Sequence, residues 1–159
     1  MSASALHDAS SRLLFRLAGA ALAAIVVLYL FEVSARYLFN APTTWSGEVV
    51  RYALSVLIFF ALPEITRRGS HVAIDIVPSV LPERLQSALL RAGFLLGSLV
   101  CLGAGAIAGR EAVRQIERGL MTNAAHPIPR WWITAIIAIG LISAALHFAR
   151  NGLARKPAA

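Results

Sequence analysis

The sequence predicts an all-α integral membrane protein with four transmembrane helices. Three observations carry that prediction. Hydrophobic residues make up 58% of the 159-residue chain and charged residues only 14%, against roughly a quarter charged in ordinary soluble domains. The mean hydropathy is +0.69. That leaves too little polar sequence to cover a soluble surface, and it excludes intrinsic disorder. Second, four segments are apolar over about the 20 residues that a helical span needs. Third, the single cysteine, Cys101, excludes an internal disulfide framework and any multi-cysteine metal site.

The first span centres on the uncharged run 17–31. Arg12, Arg16 and Glu32 at its edges can snorkel to the interface, which extends the span to about 13–34. A competing reading makes this stretch a cleaved signal peptide with Val33-Ser34-Ala35 as the cleavage site. Glu32 and Arg36 flank that site awkwardly, so the retained span is preferred. Asn40-Ala41-Pro42 is turn chemistry. The second span covers about 45–65; its uncharged stretch, 52–63, is short and draws in Glu48, Arg51 or Glu64.

Val72, Ile74, Ile76 and Val77 follow, but Pro78 and Pro82 interrupt the apolar pattern. This short segment between spans 2 and 3 is expected along the membrane interface. The third span covers about 89–109. Its helical pattern is longer, from Pro82 as an opening proline to Gly119 as a stop. Such a helix is about 55 Å long, more than the hydrocarbon core of about 30 Å. It must tilt, bend or project. Pro127 and Pro129 precede the fourth span, about 131–149, and Trp131 and Trp132 begin it at the depth of an aromatic belt.

Fifteen Lys and Arg stand against eight Asp and Glu, a net charge of +7. In a membrane protein, cations collect at span ends and in cytoplasmic loops, so basicity here does not call for nucleic acid. Placing the N-terminus in the cytoplasm puts nine cations inside and five outside, with Arg51 in or near a span. That ratio favours both termini inside.

Glu48 and Arg51 are i,i+3 neighbours and can neutralise each other. The pair reads either as a local device for a polar helix end or as a dock for a neighbouring helix or lipid headgroup. Arg67 and Arg68 before Gly69 mark a helix C-terminus. His71 and Asp75 are too few for a metal site. Gly93 with Gly97, and Gly105 with Gly109, have the small-xxx-small spacing of close helix packing; Gly140 and Ala144 repeat it. A bis-histidine haem site needs two facing histidines within spans, and only His147 lies in one. No protease constellation and no phosphate loop is visible. Neither catalytic, substrate-binding nor metal-ligating residues are expected, and no cofactor. A small autonomous carrier using Glu32, or an assembly subunit of another membrane complex, are the rival readings. The spans look structural, which points to an accessory subunit.

From about residue 28 to 146 the chain resembles the small membrane subunit (DctQ-like) of tripartite ATP-independent periplasmic, or TRAP, transporters. The resemblance rests on Arg36-Tyr37, Trp45-x-x-Glu48-x-x-Arg51 and Arg67-Arg68-Gly69-x-His71-x-x-x-Asp75. Leu81-Pro82-x-Arg84 and Ile128-Pro129-x-Trp131-Trp132 complete it. Gly47 stands where the family often has the first of two acids. The resemblance implies a scaffold in a bacterial inner membrane, not an enzyme. Its implied partners are a large TRAP membrane subunit, a periplasmic solute-binding protein and membrane lipids. The implied process is sodium-coupled uptake of an organic acid. Arg36, Trp45, Glu48, Arg51, Arg67, Arg68, His71 and Asp75 become candidate subunit- or lipid-interface residues.

Overall fold

The computed structural model describes residues 3–68, 82–123 and 127–153. They form four helices: α1 (Ala3–Leu38), α2 (Ser46–Arg67), α3 (Glu83–Glu117) and α4 (Trp131–Leu153). All four are long and apolar enough to cross a membrane, so the all-α, four-span expectation holds. The segment expected at the interface between spans 2 and 3, with His71 and Asp75, lies outside the described residues.

Helix ends follow the local chemistry. α1 stops at Leu38, and Asn40 takes a left-handed φ of 50° that lets the Ala41 N–H reach the Ala35 carbonyl at 3.0 Å. Asparagine tolerates that conformation better than most residues. Just past the end of α3, Gly119 takes a φ of 58°. The N–H of Leu120 returns to Gln115 O and that of Gly119 to Ile116 O, each at 3.1 Å. This is the paired C-terminal closure that a left-handed glycine permits. Pro82 serves as the N-cap of α3. Between α3 and α4 the backbone pinches, with Thr122 N–H on Ile128 O at 2.9 Å and Arg130 N–H on Leu120 O at 3.0 Å.

α1 is longer than its span requires. It begins at Ala3 and runs 36 residues, because its first turns are docked against α4, as described below.

The main packed pairs are α1 with α2, α2 with α4, and α4 with α3. The helices therefore lie in a row, α1–α2–α4–α3, with no closing contact of similar size between α1 and α3 among the described residues. Among the described residues, five of the six buried hydrophobic ones are alanines: Ala18, Ala112, Ala138, Ala144 and Ala145, beside Val50. Large side chains such as Leu30, Leu99 and Ile107 point outward. Lipid tails are as apolar as leucine, so packing between spans relies on close approach of small residues. A Cβ on Gly97 would touch Phe148 at 3.4 Å, and one on Gly105 would press on Ile142 at 2.8 Å. Ser98 adds a hydrogen bond from its hydroxyl to Ala145 O at 3.0 Å.

The α2–α4 seam is tightest at Gly140. A Cβ there would lie within 2.8 Å of the Phe59 carbonyl carbon. Pro63 sits inside α2 and has no N–H, so it cannot bond the carbonyl four residues back, which is that of Phe59. The carbonyl that Pro63 leaves open is the backbone atom that Gly140 approaches.

Candidate functional site

Polar groups collect at the two ends of the row. The end carrying the loops from α1 to α2 and from α3 to α4 is organised by Glu32. Its carboxylate accepts hydrogen bonds from the Thr43 N–H at 3.2 Å and the Ser46 hydroxyl at 3.0 Å, and also from the Thr43 hydroxyl. Arg36 donates at 2.6 Å from one turn further along α1. The acid at the edge of the first span thus clasps the turn to the start of α2. Ser46, buried as the first residue of α2, fixes the register.

Beside this clasp lies a polar recess of about 270 Å³ lined by Glu32, Arg36, Thr43, Ser46, Glu48 and Arg51. Glu48 also borders a larger apolar groove of about 660 Å³, lined by Trp45, Val49, Tyr52, Val56, Trp132 and Ile136 among others. Trp45 is the N-cap of α2 and its ring packs on Phe31 at 6.1 Å. Trp131 and Trp132 meet edge to face at 6.0 Å. Two neighbouring cavities, one apolar and one charged, thus lie at one end of the row.

Arg36, Glu48 and Arg51 line the recess, and Trp45 lines the apolar groove beside it. Arg36 is drawn to Glu32, and no ion pair joins Glu48 to Arg51 among the described residues. Glu48 lies in the first turn of α2, where the positive end of the helix dipole already favours an acid.

The opposite end, where both α1 begins and α4 finishes, carries a second polar knot. Glu64 is fully buried. Arg67 grips both its oxygens, Nε to Oε2 at 2.7 Å and Nη2 to Oε1 at 2.6 Å. Arg68 Nε adds a third bond at 2.8 Å, and its guanidinium stands 5.5 Å from the centre of the Phe15 ring of α1. The Asn151 side chain of α4 donates to Thr66 O at 2.9 Å. Arg67 and Arg68 are therefore structural ties as well as helix-end charges.

The α1 contribution to this knot escaped the sequence reading. His7 stacks on His147 with ring centres 4.0 Å apart and planes 17° from parallel. His7 Nε2 meets the Ser143 hydroxyl at 3.0 Å, and His147 Nε2 meets the Ser11 hydroxyl at 2.7 Å. Arg150 donates to Asp8 at 2.6 Å. The signal was present as two Ser/His pairs at i,i+4, His7 with Ser11 and Ser143 with His147. Nothing local said that they would meet across 136 residues.

Neither metal nor nucleophile chemistry fits this knot as built. The ligand atoms of His7, Asp8 and His147 lie within 4.8 Å of one another. A metal ion, however, must sit in the plane of each imidazole that binds it, and two stacked, nearly parallel rings share no such point. Asp8 is already held by Arg150. Ser11 has the right neighbour for a catalytic serine, but it is 0% exposed and its hydroxyl already donates to His7 O at 3.0 Å.

Of the glycines expected at helix contacts, Gly97 and Gly105 face α4. A Cβ on Gly93 or Gly109 would meet nothing within 4 Å.

The model of a protein family described as tripartite ATP-independent periplasmic transporters, DctQ component, matches residues 13–155. A curated relative is the sialic acid TRAP transporter small permease protein SiaQ of Vibrio cholerae. It is 27% identical over 90 residues, which cover 57% of this chain and 51% of the relative. The chain thus spans about half the length of the relative it matches. With four membrane-length helices and a family match over nearly all of them, the chain belongs to the DctQ family, multi-pass inner-membrane components of bacterial TRAP transporters.

Proposed function

We propose that this chain is the fixed brace of a TRAP transporter. In this reading it supports a large permease subunit that takes up an organic acid with a sodium gradient, after delivery by a periplasmic solute-binding protein. The observation that carries the reading is the engagement of its membrane-edge acids. Glu32 holds a turn through Thr43, Ser46 and Arg36, and Glu64 is closed by two arginines. Membrane carboxylates that move ions or protons must exchange partners. These two are committed to holding helices in place. That also weighs against an autonomous carrier built on Glu32.

Both termini lie in the cytoplasm in this proposal, because that orientation puts nine cations inside against five outside. The spans then cover about 13–34, 45–65, 89–109 and 131–149. The charged recess and apolar groove at the outer end, with Arg36, Trp45, Glu48 and Arg51, form the seam toward the large subunit, where lipid headgroups also find cations. Arg67 and Arg68 hold the inner end at its depth.

Proteoliposomes test the reading. Uptake should require the large subunit, this chain and the binding protein together, and should collapse when sodium is replaced by potassium. Uptake by this chain alone, abolished by Glu32→Gln, would instead establish the carrier.

A further inference from the structure

The first three turns of α1 are attached differently from the rest of that helix. Beyond them α1 packs along α2. The turns themselves meet α4 through the stacked imidazoles, two hydroxyl–imidazole bonds and the Asp8–Arg150 ion pair. Among the described residues, apolar packing beside these contacts is incomplete. An open groove of about 420 Å³ separates Leu13 and Leu14 from Ile139, Ile142 and Leu146, with His7 and Ser143 at its edge. The described contacts that hold the arm to α4 are thus polar, with two imidazole rings at their centre.

We infer that this arm is a proton-released latch: neutral His7, stacked on His147, holds α1 on α4, and charging His7 frees the arm.

Burial against α4 disfavours the charged form of His7, and the charges around the two rings add to that. From α1 comes Asp8, from α2 Arg67, and from α4 Arg150. Both acids in the knot are already bonded to arginine, Asp8 to Arg150 and Glu64 to Arg67 and Arg68. The described knot therefore holds three arginines against two acids. An imidazolium at His7 adds a further cation to that excess, 4.0 Å from the second ring. The freed arm, in water, accepts the proton without this penalty. Docking then competes with protonation. It is complete well above the ordinary imidazole value of about 6.5 and weakens as pH falls through it. The ratio of freed to docked arm rises up to roughly tenfold per pH unit for each proton taken up.

Two measurements on the full chain in lipid nanodiscs test the latch. In the first, spin labels replace the exposed Leu6 and Leu153 on a Cys101→Ser background, and their separation is read by pulsed dipolar spectroscopy from pH 7.5 to 5.0. One short, narrow distance is expected at pH 7.5, with a second, longer population growing on acidification. The His7→Gln, His147→Gln double variant should give the same distribution at every pH. In the second, which needs no variant, amide exchange is followed in residues 4–12 and corrected for its intrinsic pH dependence. Protection there should fall across the same range while that of α2 stays constant. A wild-type distance distribution or arm protection that does not change with pH overturns the inference. So does a pH step that survives in the double variant, since it would belong to the carboxylates.

Discussion

Gly140 shows how a single missing methyl shapes this protein. Pro63 opens the Phe59 carbonyl, and the backbone of α4 comes close enough to cover it. A weak Cα–H···O contact suits such an approach. An alanine Cβ there would collide with backbone, which cannot rotate away. Gly140→Ala should therefore destabilise the chain by about 1–3 kcal/mol, the usual cost of overpacking, despite alanine's better helix propensity. Thermal unfolding in detergent would show it, and an unchanged midpoint would mean that the seam is looser than described. The sequence reading marked Gly140 and Ala144 for their spacing. It could not name Phe59 as the partner, because spacing identifies a face and leaves the facing residue open. Glu48 and Arg51 were legible as neighbours on α2. Whether their side chains pair was not, because i,i+3 spacing places two residues on one face and leaves their rotamers open.

At the scale of elements, apolar runs and Gly/Pro punctuation marked the four helices, and Gly119 was legible as the stop of α3 because its left-handed turn is a local requirement. The extension of α1 back to Ala3 was not, since it rests on a meeting with α4 at the far end of the chain. The glycines of α3 divide by the same logic. Gly97 and Gly105 lie against α4, whereas Gly93 and Gly109 face open space within this chain. Gly105→Ala should lower the midpoint of the isolated chain, as its Cβ presses on Ile142 and Leu141. Gly93→Ala and Gly109→Ala should raise it slightly, because an exposed helix interior gains up to about 1 kcal/mol from that change. If either also reduces recovery of the large subunit, that glycine lies at the seam between the two proteins. A lowered midpoint for Gly93→Ala or Gly109→Ala would show a contact within the chain instead.

For the whole molecule, the row of helices suits a part that others move against. Its two interior helices are joined to each other through glycine and backbone, and the polar knots tie its ends. Arg51 is exposed beside the recess and has no ion pair to Glu48 to lose. Arg51→Ala should therefore leave the thermal midpoint of this chain nearly unchanged, within about 0.5 kcal/mol as for most surface changes. It should reduce co-purification with the large subunit several-fold. Unaltered recovery of that subunit would remove Arg51 from the seam.

A single-file arrangement also keeps little of itself inside, since its buried side chains gather at the seams and in one end knot. Most of each rod borders the surrounding amphiphile, so the purified chain should carry a larger belt of detergent per residue than a square cluster of four would. Harsh extraction that strips this belt attacks every rod at once. Mild, bilayer-like carriers should accordingly prolong its folded lifetime more than they do for rounder proteins with as many crossings.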